Sequence, residues 1–130
     1  MAARENVRLA DLGEQPFIIH SRALVPTMYA LTQYAFQAAG IQPPIAQEAV
    51  QVHTILGLVE GGLGVALLPD AVCRYAGGGV VFLPLDGLAD TLLVGTAVAV
   101  LEDAVTPTAR HFIEHAHSVA TPVGITTPGE

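Results

Sequence analysis

Residues 54–69, TILGLVEGGLGVALLP, constrain the fold more than any other stretch of the chain. Val52, Ile55, Leu56 and Val59 recur at three- and four-residue spacing and form one helical face. Gly61 and Gly62 follow, residues that can take the left-handed backbone that ends a helix. Val65, Ala66, Leu67 and Leu68 then make an apolar run of strand length, and Pro69 stops it. A helix that turns this quickly into a buried strand is a corner of an α/β unit, in which the helix covers the sheet that the strand joins.

The rest of the chain reads the same way. Residues 1–14 form an exposed lead-in, with a short edge strand at Val7, Arg8 and Leu9. Phe17, Ile18, Ile19 and His20 form the first core strand. Pro26 opens a helix to about Ala39, with Met28, Leu31, Ala35 and Ala38 on one face and Gly40 as its cap. Further strands are expected at residues 45–49, 65–68, 80–83 and 91–101. A short helix is expected over residues 70–76, and a last helix runs from Thr106 or Thr108 to about Val119. Residues 121–130 make a disordered tail. Strands alternating with helices pair in parallel, so the expected class is α/β, a mostly parallel sheet flanked by helices.

Composition excludes several roles. The formal net charge is −7, and the five basic residues, Arg4, Arg8, Arg22, Arg74 and Arg110, are scattered. A nucleic-acid surface needs a clustered basic patch, and none exists here; if the protein works on DNA, another segment does the binding. No run approaches the roughly 18 apolar residues of a membrane span, and the charged first residues do not form a secretory signal. The expected location is the cytoplasm. The single Cys73 has no internal disulfide partner and reads as a small core residue.

Two motifs invite chemistry that their context does not support. His111, Glu114 and His115 match H-x-x-E-H, a zinc-hydrolase pattern, on the last helix. A catalytic zinc needs a third ligand, and the fifteen residues that follow hold one acidic residue, Glu130. A solvated helix face is the simpler reading. The glycines at 61, 62 and 64 follow a helix and precede a strand, the reverse of a dinucleotide fingerprint, and no lysine exists to complete a P-loop. Ser21 has no G-x-S-x-G setting. No cofactor or metal is expected.

Better candidates lie where strands end and helices begin. Ser21 and Arg22 follow the first core strand; Val50, Gln51, Val52, His53 and Thr54 occupy the next such junction. In open α/β sheets ligands bind beyond the carboxyl ends of the strands, and helix N-termini offer free N–H groups to anions. Thr54 is suited to capping or to donating its hydroxyl, and His53 to donating to a carboxylate. Capping and solvation alone would explain each residue equally well.

These segments, in their order and spacing, resemble a known family. Leu9-Ala10-Asp11-Leu12 before Pro16-Phe17-Ile18-Ile19, then Ala39-Gly40-Ile41-Gln42-Pro43, then LVEGGLGVALLP, then Val80-Val81-Phe82-Leu83-Pro84-Leu85 and the closing helix carry the likeness. Over about residues 6–120 the chain resembles the effector-binding, or substrate-binding, domain of LysR-type transcriptional regulators, in its C-terminal part only. The resemblance implies a periplasmic-binding-protein-like (type 2) fold of two α/β subdomains joined by crossover strands, with a small effector between them. Residues 15–85 would be the second subdomain, and residues 86–120 the crossover strand and helix of an incomplete first one. Ser21, Arg22, Val50, Gln51, His53 and Thr54 would line the cleft. The implied protein is not an enzyme but the ligand-sensing part of a bacterial regulator, with an organic acid or amide as effector. A solute-binding protein of the same fold is the alternative. The family's helix-turn-helix and half of its first subdomain have no counterpart here, so the strand at 91–101 lacks its usual sheet. An exposed apolar strand is adhesive, and a homodimer or higher oligomer is expected.

Overall fold

The computed structural model describes residues 6–75, 77–87, 92, 94, 98–101, 103 and 105–120. The elements in chain order are β1 (Val7–Arg8), a 3-10 segment (Leu9–Leu12), β2 (Phe17–His20), α1 (Pro26–Ala39), β3 (Ile45–Ala49), α2 (Val52–Glu60), a 3-10 segment (Asp70–Tyr75), β4 (Leu85–Asp86) and α3 (Pro107–Val119). They divide between two units, Met1–Leu92 and Leu93–Glu130.

In the first unit β2 is central. All four of its residues are buried, which its unbroken apolar run Phe17-Ile18-Ile19 allows on both faces at once. β3 pairs with it in parallel, with His20 opposite Ala49. On the other edge Val65 bridges Phe17, also in parallel, through Ile18 N–H to the Val65 carbonyl (2.8 Å) and Val65 N–H to the Pro16 carbonyl (2.9 Å). Successive side chains of a strand point to opposite faces, and two clusters result. Phe17 and Ile19 pack with Leu9, Ala35 and Phe36 on the α1 side. Ile18 packs with Ala49 and Ile55 on the α2 side. The Phe17 and Phe36 rings meet edge to face at 4.8 Å, a geometry that adds about 1 kcal/mol to simple burial. The chain is thus an α/β fold with parallel strand pairs flanked by helices.

Several expectations are refined. The lead-in is not wholly exposed: Val7 and Leu9 are core residues, and β1 pairs in parallel with β4. The buried stripe of α1 is Thr32, Ala35 and Phe36 rather than the stripe through Met28, Leu31 and Ala38. Thr32 can face inward because its hydroxyl donates to the Met28 carbonyl one turn back (2.9 Å). Residues 65–68 keep strand alternation, Val65 and Leu67 packing on one cluster and Ala66 and Leu68 on the other. Ladder pairing, however, is confined to Val65. Residues 80–83 are not a strand; pairing falls at Leu85–Asp86, because β1 is only two residues long and meets the chain there. Cys73 is exposed, not a core residue; Val72 fills the buried position of its 3-10 segment.

The long strand expected at 91–101 is absent at the described positions. Leu92 sits in a 3-10 turn, and Val94 and residues 98–101 have no regular structure; Val98, Val100 and Leu101 are about half exposed or more. A strand needs a neighbour for its N–H and C=O groups, and the described part of that unit contains none. The remaining positions of that stretch, and the expected tail, lie outside the described residues. α3 forms as expected, with Thr106 accepting from Ala109 N–H (3.2 Å) and Pro107 in its first turn.

The corner between α2 and residues 65–68 is built by two glycines. Gly62 takes the left-handed conformation (φ 79°), and Leu63 N–H closes the helix end on the Leu58 carbonyl (3.1 Å). Gly64 lies against Pro16, so a Cβ there would collide with the Pro16 carbonyl. That backbone is fixed by the Val65–Pro16 hydrogen bond and cannot retreat. We therefore expect Gly64→Ala to destabilise the fold by about 2 kcal/mol or more. Gly57→Ala, in mid-helix with open space around its Cβ position, should instead stabilise by about 0.5–1 kcal/mol. Urea unfolding of the two variants distinguishes them by the sign of the shift in midpoint.

Candidate functional site

Parallel pairing with matched register brings the carboxyl ends of β2 and β3 side by side. Ser21 N–H donates to the Ala49 carbonyl (2.9 Å), and Arg22 N–H donates to Glu48 Oε2 (3.2 Å). The two sequence-selected junctions, Ser21-Arg22 and residues 50–54, therefore meet at one edge of the sheet. The chain leaves β2 through a turn in which Val25 N–H bonds the Ser21 carbonyl (2.9 Å), and α1 begins at Pro26. It leaves β3 at Val50 and enters α2 directly. Both helices thus start at this edge.

Neither start is capped by a side chain. The N-cap of α1 is Val25 and that of α2 is Gln51, and neither side chain bonds a first-turn N–H. The leading N–H groups of a helix have no acceptor within the helix, and they carry the positive end of its dipole. Thr54 is not the cap; it is the third residue of α2, exposed to solvent. His53, the second, is exposed and meets the Tyr75 ring edge to face at 6.2 Å. The Arg22 guanidinium lies 6.0 Å from the centre of the Tyr29 ring, at the outer range of a cation–π contact. Arg22, Val50 and Gln51 are exposed and Ser21 is half-buried.

Three residues at this edge escaped the sequence reading. Glu48 reaches across from β3 to Arg22 N–H. Tyr75 ends the second 3-10 segment and arrives beside His53 from a third junction. His20 ends β2 and is only 4% exposed. The signal for His20 was present, since a titratable residue closes an otherwise apolar strand. The signals for Glu48 and Tyr75 were not, because their place depends on register and on the return of the chain after residue 69. Burial lowers the pKa of His20 from its ordinary 6.5, because desolvation penalises the imidazolium.

α3 carries His111, Glu114 and His115 on a helix with no buried residue. Among the described residues no group of three or more His, Cys, Asp or Glu side chains is placed to hold a metal ion. No helix among them is long and apolar enough to cross a membrane.

In open α/β sheets ligands bind beyond the carboxyl ends of the strands, the edge at which this unit gathers two uncapped helix starts. Comparison with known proteins gives the family. The LysR substrate binding domain profile matches residues 1–121. The chain is 40% identical over 85 residues to the HTH-type transcriptional regulator TtuA of Agrobacterium vitis, covering 65% of this chain and 28% of that protein. It is 26% identical over 113 residues to the HTH-type transcriptional regulator AlsR of Bacillus subtilis (strain 168), covering 87% and 37%. It is 33% identical over 100 residues to the HTH-type transcriptional regulator IlvR of Caulobacter vibrioides, covering 77% and 33%. The chain belongs to the LysR substrate-binding domain family, a regulatory and non-enzymatic class. It spans about a third of the length of these relatives.

The buried His20 gives the site a pH signature. Above pH 7 the ring is neutral both folded and unfolded, and stability is complete. As pH falls through 6.5 the unfolded chain binds a proton that the folded ring resists, so stability is lost. We expect the urea midpoint to fall between pH 7 and pH 5, and His20→Phe to remove part of that slope. Equal slopes in the two proteins would contradict the assignment.

Proposed function

We propose that this chain is the effector-sensing part of a LysR-type bacterial transcriptional regulator, and that its effector binds at the carboxyl edge of β2 and β3. The observation that carries the reading is the joining of two strand ends by the Ser21–Ala49 and Arg22–Glu48 hydrogen bonds, which brings two uncapped helix starts to one edge, with the Arg22 guanidinium beside Tyr29 near the start of α1. Such an arrangement suits a small organic acid or amide. Arg22 and the first-turn N–H groups of α2 would take its oxygens. The Glu48 carboxylate favours an effector that also carries a donor, such as a hydroxyl or amide N–H. Val50, Gln51, His53 and Thr54 would complete this wall of the cleft.

In the whole protein, residues 15–85 would form the second effector-binding subdomain, and residues 86–120 would return to the first. DNA would be bound by a segment outside this chain, in a cytoplasmic homodimer or higher oligomer. An effector that binds one arrangement of the subdomains better than another shifts the population toward it, and the DNA-binding segments move in consequence.

Titration calorimetry of the whole protein with small carboxylates and amides tests this. Replacing Arg22 by Gln removes the charge but keeps a donor, and should weaken binding of a carboxylate by about tenfold or more. Unchanged affinity in the Arg22→Gln protein would place the effector elsewhere.

A further inference from the structure

His20 has no role in the binding scheme above, yet it is the most costly residue at this edge to bury. The residue is 4% exposed, and its side chain makes no hydrogen bond among the described residues. No fully enclosed side-chain nitrogen or oxygen among those residues lacks a partner, so the His20 ring nitrogens keep a sliver of access to the surface. The direction of that access follows from the strand. Ile18 faces α2, where it packs with Ile55, and His20, two residues on, faces the same way. From Ile18 to His20 the strand advances roughly 6.6 Å; from Ile55 back to Gln51 the helix retreats about 6 Å. His20 is therefore level with the first turn of α2, under N–H groups that no side chain caps. A neutral imidazole there has one N–H donor and one acceptor nitrogen with no partner among the described residues.

We propose that His20 is a direct effector contact, its ring N–H donating to a carboxylate or amide oxygen held at the first turn of α2. The inference rests on the effector-binding reading of this edge and adds a buried polar floor to it.

Side-chain nitrogen NMR of the whole protein, titrated with succinate, benzoate and acetamide as probes, tests it. The expected result is that the His20 ring nitrogens shift along the same saturation curve as the backbone amides of Arg22 and Gln51. His20→Phe, which keeps a buried ring and removes both nitrogens, should weaken the probe that binds by about fivefold to tenfold. If the Arg22 and Gln51 amides saturate while the His20 nitrogens stay fixed, the His20 contact is wrong and the site reading stands. If neither the amides nor the ring respond to any probe, both are wrong. The nitrogen shifts are read on the unsubstituted protein, so the outcome does not depend on the variant folding.

Discussion

β2 is buried on both faces, and a strand in that position needs a partner along each edge and a helix over each face. β3 and the Val65 segment supply the edges; α1 and α2 supply the faces. The Gly62–Gly64 corner exists to serve this requirement. It turns the chain from α2 back into the sheet beside β2 within a few residues, and it lets Val65 reach the Pro16 carbonyl. Because the strands are parallel, each helix must begin where a strand has just ended. The gathering of helix starts at one edge is therefore a consequence of burying β2.

The same constraint explains what the sequence made legible. Elements whose limits are marked by local signals are readable: β2, α1 and β3 begin and end where periodicity, proline and glycine place them, although the two strands satisfy their backbone groups only by pairing. Elements whose identity depends on a distant partner are not. Residues 65–68 alternate like a strand but bond like one only at Val65, where β2 lies alongside. Residues 80–83 are apolar enough for a strand, yet pairing waits for Leu85, opposite Val7. Thr32 misled the reading of α1 because its polarity is cancelled by a carbonyl four residues earlier, a bond that no hydrophobicity pattern records.

The candidate site shows the same division. The position of Ser21, Arg22 and residues 50–54 followed from the rule that ligands sit beyond strand ends. That they adjoin one another followed only from the register that sets His20 opposite Ala49. Glu48 and Tyr75 became part of the edge through that register and through the chain's return after β2 is covered. The contribution of the glycine corner is to fix the helix whose opposite end meets the candidate site.

The central claim is that an effector is held at this edge and not on another face of the chain. Hydrogen–deuterium exchange of the whole protein, with and without a ligand known to bind it, tests this most directly. The account predicts slowed exchange over residues 20–25 and 50–56, with little change over Leu9–Leu12 and the second half of α1. Protection confined to those latter segments, or to α3, with residues 20–25 and 50–56 unaffected, would contradict it.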